Sequence, residues 1–106
     1  MPRMAARNRA TIEGTLKRTP QAWKLKDGRK RAIFTIRTQR DNGKHDYIDC
    51  CAYGDIAESM EVIKPGKDIE ISGWLMTFRQ PDMEYKRTTL VVENWAYTGP
   101  IEPVGE

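Results

Sequence analysis

The sequence has 106 residues, a formal net charge of +3 and 39% hydrophobic residues, which suits one domain with a single core. It contains no apolar run that could span a bilayer and no apolar stretch behind its basic start, so we expect a cytoplasmic protein without a signal peptide or a membrane partner. Thirteen Lys and Arg stand against four Asp and Glu in residues 1–46, whereas five stand against eleven in residues 47–106. The basic first half favours a polyanionic partner, and an uneven solvated surface is the alternative.

The first predicted strand lies in RATIEGTLKR, residues 9–18, where Ile12, Gly14 and Leu16 alternate with polar side chains. A period of two is typical of a strand with one buried face, and Gly14 predicts a bend or bulge in it. The next segment, TPQAWKLKDGRK, is rich in turn residues and includes an Asp-Gly pair. We therefore expect a loop there, with Trp23 inside it.

The second and third predicted strands form a hairpin with a long tip, DNGKH. The second strand, RAIFTIRTQ, has one apolar face and one partly cationic face that carries Arg31 and Arg37. In the third strand, DYIDCCAY, the inward set is Ile48, Cys50 and Ala52. The outward set is Tyr47, Asp49, Cys51 and Tyr53.

The two cysteines are adjacent on this third strand. Successive side chains of a strand point to opposite faces, so a bridge between Cys50 and Cys51 is disfavoured, and we expect one thiol in the core and the other at the surface. His45 is the single histidine and there is no second cysteine pair. We therefore expect no metal site and no cofactor.

A short helix is predicted after Gly54. Asp55 and Glu58 resemble a capping box, with Asp in place of Ser or Thr. One apolar stripe follows at helical spacing, namely Ile56, Met60 and Ile63. Pro65-Gly66 ends the segment. We expect this helix to close one end of a sheet rather than to bind a partner.

Two further strands complete the domain. KDIEISGWLMTF, residues 67–78, has an inward set of Ile69, Ile71, Gly73 and Leu75. Its outward set is Glu70, Ser72, Trp74, Met76 and Phe78. The last strand, KRTTLVVENW, points Leu90 and Val92 inward. We place the domain at residues 1–98 and expect residues 99–106, rich in Gly and Pro, to form a short flexible tail.

These elements predict an all-β fold. Five strands, with one short α-helix between the third and the fourth, match the five-stranded Greek-key barrel of the oligonucleotide/oligosaccharide-binding (OB) fold. Gly14 and Gly73 stand where the strands of such a barrel curl. An SH3-like barrel would not place its helix there.

Several segments resemble bacterial single-stranded DNA-binding proteins of the SSB type, over roughly residues 8–96. IEGTLKRTPQ is similar to the opening strand of that family, and AIFTIRT is similar to its second strand. YIDCCAYGDIAESMEVIKPGKDIEISGWL is similar to its strand, helix, Lys-x-Gly turn and strand, and TTLVVENW to its closing strand. The resemblance implies the same fold and the same class of ligand.

The resemblance also implies roles for particular residues. Tyr47 and Tyr53 fall at the positions of a Trp and a Phe that stack on bases in the family, and Arg9 falls where a basic residue meets phosphate. Two other stacking tryptophans of the family align near Asn42 and Gln80. Because neither residue is aromatic, these two stacking positions are in doubt here. The family commonly ends in an acidic tail that recruits other replication proteins, whereas this sequence stops at IEPVGE. We expect either that the chain is shortened or that it does not recruit replication proteins in this way.

Stacking and charge define the candidate nucleic-acid-binding residues. Bases stack on aromatic side chains while a basic groove follows the phosphates. Tyr47 and Tyr53 are an even number of residues apart, so both project from one face, roughly 20 Å apart. The full candidate set is Tyr47, Tyr53, Trp74, Phe78, Trp23, Arg9, Arg31, Arg37, Arg40, Lys44 and Arg79. The alternatives are that the aromatic residues cover the barrel or an interface and that the cations are solvated.

The function predicted on this basis is non-catalytic, largely sequence-independent binding of single-stranded DNA in replication, recombination or repair, with RNA as a possible ligand. We expect a homo-oligomer, either a tetramer or a dimer. One alternative is a relative of primosomal replication protein N, and another is a structural OB adaptor. An enzyme is disfavoured because the sequence has no metal-ligand cluster, nucleophile elbow or phosphate-binding Gly loop.

Overall fold

A computed structural model describes residues 7–79, 81–82 and 84–99 of the chain. These residues form six strands and one helix. The elements are β1 (Ala10–Leu16), β2 (Gln21–Lys24), β3 (Lys30–Gln39), β4 (His45–Tyr53), α1 (Gly54–Met60), β5 (Asp68–Phe78) and β6 (Arg87–Tyr97). The predicted tail lies outside the described residues from position 100 onward, as does Gln80.

Five of the strands close into a barrel. β1 pairs with β5, β5 with β6 and β3 with β4, all antiparallel, while β4 and β6 pair in parallel at Cys50 and Leu90. The closure comes from the end of β1, where Thr15 and Leu16 pair with Arg37 and Ile36 of β3. With the helix between β4 and β5, the third and fourth strands of the predicted set, this topology confirms the OB-fold.

The strand β2 corrects the prediction of a loop between the first two strands. It pairs antiparallel with β3, and Trp23 lies opposite Arg31. The turn between them is made by Asp27, whose carboxylate accepts hydrogen bonds from the backbone N–H and the Nε of Arg29, at 3.0 and 2.9 Å. These bonds hold the pKa of Asp27 below its usual value. Sequence reasoning found this turn but not the strand, because QAWK has no alternation long enough to indicate one.

The inward sets of the first three predicted strands and of the last form the core, as expected. Leu16, Phe34, Ile36, Cys50 and Leu90 are all buried. The helix α1 adds Ala57 and Met60, and Ile63, which follows the helix, is also buried. The packing of α1 against β3, β4 and β6 agrees with its predicted role at one end of the barrel.

The start of α1 differs from the predicted capping box. The helix begins at Gly54, its N-cap is Tyr53, and no side chain caps it. Asp55 therefore lies inside the first turn rather than before it. There its negative charge interacts favourably with the helix dipole without accepting a capping hydrogen bond.

Two predicted burial assignments are wrong. Leu75 was expected to face the core but is 40% exposed, because the pairing of β1 with β5 stops at Gly73 and Leu75 lies on the part of β5 beyond it. Cys51 was expected at the surface but is 1% exposed. It faces outward, and Ile33 and Val91 on the adjacent strands cover it.

Both thiols are free within the described structure. Burial is the main cause that raises the pKa of the Cys50 thiol to about 12, so this thiol is uncharged at neutral pH. The two buried thiols behave as small apolar side chains here. Among the described residues, no group of His, Cys, Asp and Glu could hold a metal ion, and the one helix, α1, lacks the length and apolarity needed to cross a membrane.

Gly14 and Gly73 stand where two strands come too close for a side chain. A Cβ on Gly14 would overlap the carbonyl oxygen of Arg37, next to the pairs that close the barrel. A Cβ on Gly73 would overlap the carbonyl oxygen of Val91, beside a bulge that leaves Glu93 as the extra residue of β6. Both glycines allow the strands to curl, as predicted from the sequence.

Candidate nucleic-acid interface

One row of side chains crosses the outer surface of β2, β3 and β4 near the helix. The register places Trp23 beside Arg31 and Arg31 beside Tyr53. The Arg31 guanidinium carbon lies 5.5 Å from the centroid of the Trp23 ring and 5.8 Å from that of Tyr53. Both distances suit cation–π contacts. Arg31 is thus held between two aromatic rings.

Arg31 also has unused hydrogen-bonding capacity. Its Nε is buried and has no hydrogen-bond partner among the described residues. A buried donor without an acceptor is costly, and a bound ligand can satisfy it. The aromatic row therefore presents a donor as well as two rings.

A second row crosses the opposite end of the same surface. Tyr47 of β4 pairs with Arg37 of β3, and Tyr47 is 58% exposed. The Nζ of Lys17, from the connection after β1, lies 5.9 Å from the centroid of that ring. In the part of the chain that the structure describes, Arg37 forms no ion pair. This row combines an open aromatic face with two cations.

A groove of about 800 Å³ runs between the two rows. One wall is the connection after β1, with Lys17 and Arg18, and the other is the end of β5, with Phe78. Its floor is formed by outward side chains of β3, β4 and β6: Ile33, Thr35, Asp49, Cys51 and Thr89. The groove is therefore lined by aromatic, aliphatic, cationic and small polar groups and by the carboxylate of Asp49.

The floor of the groove holds one ion pair. Arg87 donates from Nη2 to Oδ2 of Asp49 at 2.8 Å. The Thr35 hydroxyl donates to Oδ1 of Asp49 at 3.3 Å, and the Thr89 hydroxyl donates to the Asp49 carbonyl oxygen at 3.1 Å. These bonds fix the Asp49 side chain and its backbone at the centre of the floor.

The structure brings six of the predicted residues together on this surface: Trp23, Tyr53, Arg31, Tyr47, Arg37 and Phe78. We call these six residues and the groove the outer groove face. Trp74 and Arg9 lie elsewhere, in a second cleft of about 500 Å³ beside β5. There the Arg9 guanidinium lies 3.4 Å from the Glu93 carboxylate, so its charge is partly offset.

The remaining predicted cations lie at the ends of strands. Arg40 donates two hydrogen bonds to Asp46, at 2.8 and 2.7 Å, which hold the pKa of Asp46 below its usual value and raise the pKa of Arg40. Lys44 lies in the same β3–β4 tip, and Arg79 is exposed just after β5. Asp46 therefore offsets the charge of Arg40, whereas Arg37 forms no ion pair with any residue that the structure describes.

Sequence reasoning missed four residues of interest. Lys17 and Arg87 line the groove, Arg29 lies 5.8 Å from the Tyr53 ring, and Tyr85 is 65% exposed after β5. The basic first half was a signal for Lys17 and Arg29. No pattern in the sequence singles out Arg87, because its position depends on the parallel pairing of β4 with β6.

Comparison with known proteins identifies the family of the chain. The model of the single-strand binding protein family matches residues 7–96. The chain belongs to the single-strand binding protein family. Members of this family bind DNA without catalysing a reaction, so the chain is not an enzyme. Its membership supports the binding of single-stranded DNA.

Among solved structures, this family member is similar to a deletion mutant of the single-stranded DNA binding protein from Thermus aquaticus. The TM-score is 0.78 and the sequence identity 16%, which shows a shared fold. The match covers 93% of this chain and 44% of the other, so the chain spans less than half the length of that protein. A comparison with curated proteins finds no significant match.

Proposed function

We propose that this chain binds single-stranded DNA through the outer groove face, largely independently of sequence, in replication, recombination or repair. The observation that carries the proposal is the arrangement of two aromatic and cationic rows on either side of one groove. Rings accept any base by stacking, and cations neutralise the phosphates. The binding domain is residues 1–98, the site of action is the cytoplasm, and RNA is a second ligand to be tested.

A fluorescence titration tests this function. Trp23 lies on the outer groove face, so its emission is expected to change when a single strand binds. We expect tighter binding of single-stranded than of duplex DNA, with log affinity falling roughly linearly with log salt as counterions are released. Titrations with single-stranded DNA, RNA and duplex DNA at two salt concentrations measure both effects. Equal affinities for duplex and single strand, or an affinity independent of salt, would contradict the proposal.

We also propose that the chain is a homo-oligomer, a tetramer or a dimer. The end of β5 supports this, because apolar side chains remain exposed on both of its faces: Trp74 on one, Leu75 on the other. Self-association commonly covers such surfaces. Light scattering at micromolar concentration is expected to give a multiple of 12.2 kDa. A monomer under these conditions would exclude the assembly, whereas a dimer would favour the relative of primosomal replication protein N.

A further inference from the structure

Asp49 stands apart from the other charged residues of the groove. The charged side chains that line the groove with it are Lys17, Arg18, Arg31 and Arg87. Within the described part of the chain, Asp49 is the one carboxylate in that lining. A carboxylate repels phosphate, so the backbone of a bound strand is drawn toward the wall that carries Lys17 and Arg18, and a base is left to face Asp49.

The Asp49 carboxylate retains capacity to accept hydrogen bonds. An ionised carboxylate has about four lone-pair sites. Among the described residues, Oδ2 accepts one bond from Arg87 and Oδ1 accepts one longer bond from Thr35. The carboxylate is about half exposed to the groove. It is therefore oriented by its neighbours and still open to a donor from a ligand.

The position of Asp49 relative to Tyr47 brings it close to a stacked base. The two residues are two positions apart on one face of β4, which separates them by roughly 7 Å. A base that stacks on the Tyr47 ring can direct its Watson–Crick edge, which is unpaired in a single strand, toward the floor of the groove. Arg87 places a hydrogen-bond donor beside the Asp49 acceptor.

We propose that Asp49 makes the groove prefer bases that carry an exocyclic amino group over uracil and thymine. This inference rests on the proposed binding function and adds base selectivity to it. Carboxylates accept hydrogen bonds from the N4 amino group of cytosine. Uracil and thymine have a carbonyl oxygen at that position, which a carboxylate repels. Their N3–H lies between two such oxygens, so it is a poorer donor for Asp49.

Oligo(dC) and oligo(dU) of equal length provide the test, because neither has a methyl group and they differ only around C4 and N3. At mildly alkaline pH, where cytosine is unprotonated, the parent protein is expected to bind oligo(dC) roughly three- to tenfold more tightly, the effect of one net hydrogen bond. Asp49→Asn is expected to reduce this preference to within about twofold. The preference is expected to be the same at two salt concentrations, because a base contact releases no counterions.

Asp46→Asn is the matched control. Asp46 is also on β4 and also pairs with an arginine, but it does not line the groove. The control changes the net charge equally and is expected to retain the preference for oligo(dC). Equal binding of the two oligonucleotides by the parent would overturn the proposal, even if Asp49→Asn failed to fold. A preference for oligo(dC) that persists in Asp49→Asn would also overturn the proposal, because Asp49 would then only position Arg87. If the parent protein bound neither oligonucleotide, the result would instead contradict the proposed function, the binding of single-stranded DNA.

Discussion

Replacement of Gly73 by alanine is expected to lower the free energy of unfolding by about 3 kcal/mol, at the upper end of the usual range for an overpacked core. The added Cβ would overlap the carbonyl oxygen of Val91, a backbone atom that no change of rotamer can move. Relief requires β5 and β6 to separate at the bulge, where they already lose one regular pair. A thermal unfolding experiment should show a midpoint lowered by roughly 10 to 25 °C.

Gly28→Asn is the control for this prediction. Gly28 lies in the β2–β3 turn with a φ of 90°, and no atom would contact a Cβ at this position within 4 Å. Asparagine tolerates such a conformation, so we expect a loss below about 1 kcal/mol. Unfolding of Gly73→Ala at the same temperature as this control would contradict the prediction that β5 and β6 leave no room for a side chain at Gly73.

Replacement of Tyr47 by alanine is expected to weaken single-stranded DNA binding by ~2 to 3 kcal/mol, and replacement of Tyr53 by ~1 kcal/mol, within the range for one stacked base. The difference arises because Tyr47 is more exposed, and the contact above its ring comes from a single flexible lysine, Lys17. The Tyr53 ring is approached by both Arg29 and Arg31, so a base must displace one of them to stack. Titration of each variant with the same oligonucleotide measures both effects.

The salt dependence separates stacking from charge. Neither tyrosine variant should change the slope of log affinity against log salt, whereas Arg37→Gln should reduce it by about one. Tyr47→Phe should bind like the parent because it keeps the ring. Tyr97→Ala serves as the matched control, since Tyr97 packs edge-on against Trp95 and does not line the groove. Folded Tyr47→Ala and Tyr53→Ala proteins with parental affinity would show that the tyrosines only cover the barrel.

The barrel could be predicted well from the sequence because the patterns that indicate its strands and helix each lie within one short segment of the chain. The alternation in β3 and β4 and the apolar spacing around α1 each reflect which side chains face the core, and the inward-facing residues were assigned correctly, although Ile63 lies after the helix. Where alternation failed, the cause was an interaction between distant segments. Leu75 lies on the same face of β5 as the buried Ile69 and Ile71, so alternation predicts its burial. The pairing of β1 with β5 ends at Gly73, however, so Leu75 lies beyond the barrel, and the sequence pattern does not show where that pairing ends.

The candidate site was less predictable for the same reason. Tyr47, Tyr53, Arg31 and Arg37 share a face by parity alone, so the sequence placed them together. Trp23 joins them through β2, a strand too short to be recognised, and Arg87 joins through a parallel pairing far along the chain. Parity also assigned Cys51 to the outer face correctly, but its burial depends on Ile33 and Val91 in neighbouring strands.

Where the β1–β5 pairing ends, the side chain of Asn8 makes the hydrogen bonds to β5 that the backbone of a paired strand would otherwise make. Asn8 donates from Nδ2 to the carbonyl oxygen of Leu75 at 2.6 Å, and its Oδ1 accepts from the Leu75 N–H at 3.0 Å. These are the two bonds that another β-strand would make at this position. An exposed, apolar strand edge is a template for pairing with strands of other chains, which can grow into fibrils. Because the Asn8 amide occupies the backbone groups of Leu75, these groups are not open to such pairing, while the Leu75 side chain stays exposed.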